Sequence, residues 1–111
     1  MSPLSSQLEH YMDLLATRQK LVAANVANLD TPGYQTKDLD FQFEFLSLQQ
    51  GATPNVVEPS DLPNKADGNN VNLDREARLL SENALRFNVA SNLLRNEIRT
   101  MRKAIEEGKN G

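Results

Sequence analysis

Two long stripes of apolar residues, separated by a polar and proline-bearing middle, organise this chain. In the first, Leu4, Leu8, Tyr11, Leu15, Val22 and Leu29 fall on alternating four- and three-residue steps, with Arg18 and Asn25 at the intervening positions. Met12, Leu14, Leu21 and Val26 widen the apolar face, as in a helix that packs along one side. Ser2-Pro3 reads as a helix start, a capping hydroxyl followed by proline at the first helical position. A start at Ser6, with Glu9 completing a capping box, fits equally well. The spacing predicts a helix from roughly residue 4 to 28, about 37 Å long at 1.5 Å per residue.

The second stripe is cleaner. Leu73, Ala77, Leu80, Ala84, Phe87, Ser91, Leu94, Ile98, Met101 and Ile105 step by four and three without a slip, with Ser91 the one polar member. A heptad pattern sustained this far predicts a coiled-coil helix. Asp74 and Glu76 suit the positive start of that helix, and Gly108 is a natural stop. Glu106 and Glu107 fit the negative end poorly.

Between the stripes, "DLDFQFEFL" alternates Leu39, Phe41, Phe43 and Phe45 with polar residues, which argues for a strand. A short helix competes, because Phe41, Phe45 and Leu48 also share a helical face. Residues 50 to 70 read as irregular loop or disorder. The expected fold is mostly α. Two long amphipathic terminal helices pair as a coiled coil, and an irregular middle carries a short strand or helix. Its segments are 1–34, helix and turn; 35–71, linker with an aromatic segment; and 72–111, the second helix. With 111 residues they form one domain and one modest core.

The first helix runs into "NLDTPGYQ", residues 28 to 35. Thr31 precedes a proline and is biased towards an extended conformation. Pro32-Gly33 suits the centre of a type II turn, with the ring fixing one φ and glycine accepting φ > 0. Tyr34 follows with a ring and a hydroxyl. Asn25 on the seam costs stability but can fix register, and Asn28 can cap the helix end.

Chemistry narrows little further. The net charge of -3 gives no global attraction to nucleic acid or to an anionic membrane. The six arginines of the last helix are interleaved with glutamates, as on a salt-bridged solvent face. Without cysteine there is no disulfide framework or thiolate metal site. His10 is the only histidine, so a multi-histidine metal site is impossible. Ser6, His10 and Asp13 can share a helical face, yet no third rigid element fixes a triad. "DGNNVNLDRE" has its glycine at the second position of a calcium loop instead of the sixth, and Asp67 and Asn69 read better as a turn. No enzyme, cofactor, metal, nucleic acid or small-molecule substrate is expected. The opening residues lack a basic region and an uninterrupted apolar run, so no cleavable secretory signal is expected.

"AANVANLDTPGYQTKDLDF", residues 23 to 41, resembles the N-terminal signature of the bacterial flagellar rod and hook family. Asn25, Ala27, Asn28, Thr31, Pro32, Gly33 and Tyr34 match it position by position, and the second stripe supplies the family's C-terminal pairing helix. Residues 67 to 88, "DGNNVNLDREARLLSENALRFN", are similar to the proximal rod members, and the chain has no room for the large inserted domains of distal ones. The middle is shorter than in the better-known members. The resemblance implies an axial subunit of the periplasm-spanning basal-body rod, transmitting torque and exported by the flagellar type III apparatus. It implies self-association and contacts with other rod subunits, the inner-membrane ring and its adaptor protein, and the export gate. Asn25, Asn28, Thr31, Pro32, Gly33 and Tyr34 would be placement residues, and Phe41 and Phe45 the anchors of a phenylalanine-based gate signal. The seam would be Leu8, Tyr11, Leu15 and Val22 against Leu73, Leu80, Phe87, Leu94, Ile98, Met101 and Ile105. The alternative is a cytoplasmic helical adaptor or export chaperone.

Overall fold

The computed structural model describes residues 2–47 and 53–110. In chain order the elements are α1 (Pro3–Ala27), β1 (Asp38–Leu39), α2 (Phe41–Leu46), β2 (Val56–Val57) and α3 (Leu73–Asn110). Helix α1 starts where the sequence allows: Ser2 Oγ accepts from Ser5 N–H at 3.1 Å, with Pro3 at the first position. It ends at Asn28, whose N–H still reaches Ala24 O and Asn25 O. Asn72 caps α3 by accepting from Arg75 N–H at 3.0 Å, a cap the sequence reading did not assign. Helix α3 passes through Gly108 to Asn110, so that glycine is not its stop.

The alternating segment divides. Asp38 and Leu39 pair antiparallel with Val57 and Val56. From Phe41 the chain is helical, because Asp40 Oδ1 caps Phe43 N–H at 3.1 Å. Phe41 and Phe45 then turn onto Tyr11 edge-on at 5.3 and 5.6 Å, while Phe43 and Leu46 face water. A strand through 41–45 would have put all three phenylalanines on one side, whereas the helix brings Phe41 and Phe45 to Tyr11 and turns Phe43 away. Leu48 lies outside the described residues.

The molecule is a rod. Its extents are 70 × 24 × 18 Å and its radius of gyration is 18.4 Å, against about 13 Å for a compact chain of this length. Helices α1 and α3 pack against each other along the long axis, as the two stripes predict.

The side of α3 turned to α1 is the surprise. Leu15, Val22 and Asn25 of the first seam are buried, with Leu8 and Tyr11 half-buried. On α3, however, the buried positions are Glu76, Leu79, Asn83 and Ala90. The heptad seam lies one residue later along the chain, about 100° around the helix. Leu73, Leu80, Phe87, Ile98 and Ile105 keep 39% to 59% of their surface, while Leu94 and Met101 are half-buried. The expected seam-to-seam packing is thus corrected on the α3 side. The reason is polar. Asn83 Nδ2 donates to Leu15 O at 2.9 Å, Asn25 Nδ2 to Glu76 Oε1 at 2.6 Å, and Ser2 Oγ to Glu97 Oε1 at 2.8 Å. The Asn83 and Asn25 rungs are buried and fix the rotation of α3, since neither could be abandoned without leaving a polar group unpaired, and the half-buried Ser2–Glu97 bond continues the row.

Candidate assembly site

Two surfaces stand out, an internal clasp at the turn end and an uncovered face along α3. The clasp centres on Asn25, which is fully buried. Its amide donates to Glu76 Oε1 at 2.6 Å and to Lys37 O at 2.8 Å. Its carbonyl accepts from Lys37 N–H at 2.9 Å and from the Tyr34 hydroxyl at 3.1 Å. Both donors and both lone pairs of the amide are therefore used. One side chain joins α1, the segment after the turn, and the start of α3.

The turn itself is type II in form: Tyr34 N–H donates to Thr31 O at 3.2 Å, and Gly33 has φ 75°. Thr31, Pro32 and Gly33 are exposed and Tyr34 half-buried. Asn28 is half-buried and bonds locally, its Nδ2 to Ala24 O and its Oδ1 to Thr31 Oγ1–H. What the sequence reading missed is the receptor for this turn. Asn69, fully buried, donates to Asn28 O at 2.8 Å and to Thr31 O at 2.9 Å, and accepts from Val71 N–H. Asn70 Oδ1 accepts from Thr36 N–H at 2.6 Å, and Gly33 N–H donates to Asp67 O at 2.9 Å. Gly68, at φ 83°, lies so close that an added Cβ would sit 3.5 Å from Gly33 Cα. The segment "DGNN" is thus the mould into which "DTPGY" is pressed. A signal was present: two asparagines, a glycine and an aspartate immediately before a helix start suit a loop that satisfies another loop's backbone.

Beside the clasp is a buried ion cluster. Arg18 grips Asp38 with two hydrogen bonds at 3.1 and 3.0 Å, and Arg75 Nη2 reaches the same carboxylate at 2.6 Å. Arg75 Nη1 also bridges both oxygens of Glu76 at 3.1 Å. Burial pushes the Asp38 carboxyl up, but the Arg18 hydrogen bonds, the Leu39 N–H, the Arg18 charge and the Arg75 hydrogen bond together hold it below its ordinary value. Two guanidinium groups balance two carboxylates, and no buried side-chain polar atom among the described residues lacks a partner.

The side chains weighed as candidates for chemistry have structural partners. His10 Nε2 lies 3.1 Å from Glu44 O and its ring stacks on Phe45, so it serves the seat of α2. Asp67 Oδ1 accepts from Asn69 N–H at 3.0 Å, a turn in place of a calcium ligand. Phe41 lies between the guanidinium groups of Arg18 and Arg86, at 5.8 and 5.9 Å. The second surface is mainly apolar, with Arg86, Lys20 and Asn88 at its margins. Either side of the α1–α3 line is a groove: one of about 450 Å³ between Leu4, Leu8, Phe45, Val89 and Leu93, the other of about 540 Å³ along Leu80, Ala84 and Phe87.

The model for flagella basal body rod proteins matches residues 12–35, from the middle of α1 through the turn. The flagellar basal body rod protein FlgB of Escherichia coli K12 is 31% identical, over 87% of this chain and 88% of that protein. The chain belongs to the FlgB family of flagellar basal body rod proteins. FlgB of Borrelia hermsii, at 31% identity over 81% of this chain, and of Yersinia ruckeri, at 30% over 87%, are similar along the same length. The chain is a structural subunit of the flagellar basal body rod, which decides against the cytoplasmic adaptor or chaperone. The FlgB likeness spans both the turn and its mould, and these are the two segments that lock together in the clasp.

Proposed function

We propose that this subunit builds the proximal part of the rod, and that the exposed seam of α3 is the face by which it joins its neighbours. It works as part of a drive shaft carrying torque across the periplasm, with no catalytic role. The observation that carries this reading is the mismatch on α3. The best apolar stripe in the sequence is left in water, while a polar row closes the fold. A half-exposed leucine or phenylalanine gains stability only when something covers it.

In this reading the placement residues Asn25, Asn28, Thr31, Pro32, Gly33 and Tyr34 act indirectly. They fix the angle between α1 and α3, so that two helices present one rigid surface. Neighbours would be further copies, other rod subunits, and the inner-membrane ring with its adaptor protein. Export proceeds through the flagellar type III apparatus. Phe41 and Phe45 would anchor recognition at its gate. Both rings are packed on α1 in the folded chain, so recognition by them requires α2 to lift. The test is to follow a Leu80→Asp variant through the exported fraction and into purified basal bodies. Normal export with failed incorporation is expected; normal incorporation would sink the proposal.

A further inference from the structure

The α3 seam is regular enough to specify a partner. From Leu73 to Ile105 it covers about 48 Å at 1.5 Å per residue. Helix α1 takes up one flank, the row of Glu76, Asn83, Ala90 and Glu97. The other flank carries Asp74, Ser81, Asn88, Arg95 and Arg102, all exposed. It begins acidic and ends basic. We propose that in the free chain this seam receives the same seam of a second copy running antiparallel, giving a two-fold symmetric dimer that precedes assembly. This rests on the reading of the seam as an intermolecular face, and it names the occupant before a rod exists.

Side-chain size favours that orientation. With Phe87 opposite Ser91 of the second copy, Ala84 falls opposite Leu94 and Ala77 opposite Met101. Each of these layers sets a large side chain against a small one, as close packing requires. In a parallel pair every residue meets its own copy: Phe87 crowds Phe87, and alanine faces alanine across a void. Charge favours it too. The same register brings Asp74 beside Arg102 of the second copy, twice by symmetry. Neither residue forms a salt bridge among the described residues. The groove along Leu80, Ala84 and Phe87 is continuous with the seam and provides depth for the incoming side chains. A two-fold pair closes on itself and cannot extend. It therefore shields the seam until the copies part and add to a rod.

The chain contains no cysteine, so introduced thiols report one position each. Asn88 lies next to the two-fold axis, and a short bis-maleimide should join two Asn88→Cys chains. Asp74→Cys and Arg102→Cys chains should each resist linking alone and link when mixed. Light scattering on the wild-type chain should show a dimer. Asp74→Arg should raise its dissociation constant roughly three- to tenfold, and Asp74→Arg with Arg102→Asp should restore it. A monomer at every soluble concentration, or a dimer whose Asn88→Cys copies do not link, overturns the proposal. Leu80→Asp separates this idea from the assembly reading. If the variant loses the dimer but swims normally, assembly through the seam is refuted and the dimer stands. If the wild type never dimerises yet the variant is non-motile, the dimer is refuted and the assembly reading stands.

Discussion

The turn end of the molecule and the outer face of α3 handle water in opposite ways. Around Asn25 the chain buries amides and two carboxylates and pairs them all, the carboxylates with two half-buried arginines. Along α3 it leaves Leu80, Phe87, Ile98 and Ile105 in contact with solvent. Polar contacts are directional and costly to leave unmade, so they fix one geometry. Apolar contacts are not directional and are gained in proportion to area covered. The clasp therefore defines the shape of the subunit, and in the proposed reading the seam supplies the adhesion between subunits.

The largest losses are expected at the clasp. Asn25→Asp sets a second carboxylate against Glu76, where an amide donor now stands at 2.6 Å. It should destabilise the chain by about 3–5 kcal/mol, the range for an uncompensated buried charge. Asn25→Ala, which leaves Glu76 and the Lys37 backbone short of partners, should cost about 2–3 kcal/mol. Urea unfolding followed by circular dichroism reads both, and a loss below 1 kcal/mol in either would remove Asn25 from the centre of the account.

Next comes the turn. Gly33 has open space around its missing Cβ but a positive φ, so any substitution meets backbone strain and not a clash. Gly33→Ala should cost about 1–2 kcal/mol and Gly33→Val more, because a branched β-carbon is least tolerated there. Equal stability of the two variants and wild type would mean that the turn relaxes freely.

Acid should then loosen the clasp. The carboxyl of Asp38 is held below its ordinary value of 3.8 in the folded chain. Its ion pairs are therefore fully present above that value and are lost as pH falls through the lower folded one. Stability should decline below about pH 4, and Asp38→Asn, weaker at neutral pH, should show a flatter acid limb. An unchanged slope would show that the Arg18 and Arg75 contacts contribute nothing. The smallest effect expected is at Arg78, exposed on α3: Arg78→Ala should alter stability by no more than about 0.5 kcal/mol and leave motility intact.

Both helices, their lengths and their pairing were legible in the apolar periods. The rotation of α3 was not, because a stripe shows that something will be covered without saying by what. The row Glu76, Asn83, Glu97, seven residues apart or a multiple of it, carried the missing information, but polar residues in a heptad read as solvent-facing until their partners are known. The type II turn was legible from Pro32-Gly33. Its mould at 67–70 was legible only as a turn: the asparagines and glycine were visible, but hydrogen bonds to backbone carbonyls leave no mark on the sequence that accepts them. At 41–45 the period-two alternation misled, and the Asp40 cap decided for helix.

In the proposed reading, adjacent residues of α3 belong to different interfaces, and Leu79 and Leu80 tell the two apart. Leu79 is buried and Leu80 is 43% exposed. The measurement is the unfolding free energy of Leu79→Asp and Leu80→Asp chains, diluted until monomeric. Leu79→Asp should lose about 3–5 kcal/mol through an unpaired charge in the fold, and Leu80→Asp less than about 1 kcal/mol. Equal losses would place the seam inside the subunit and contradict the account.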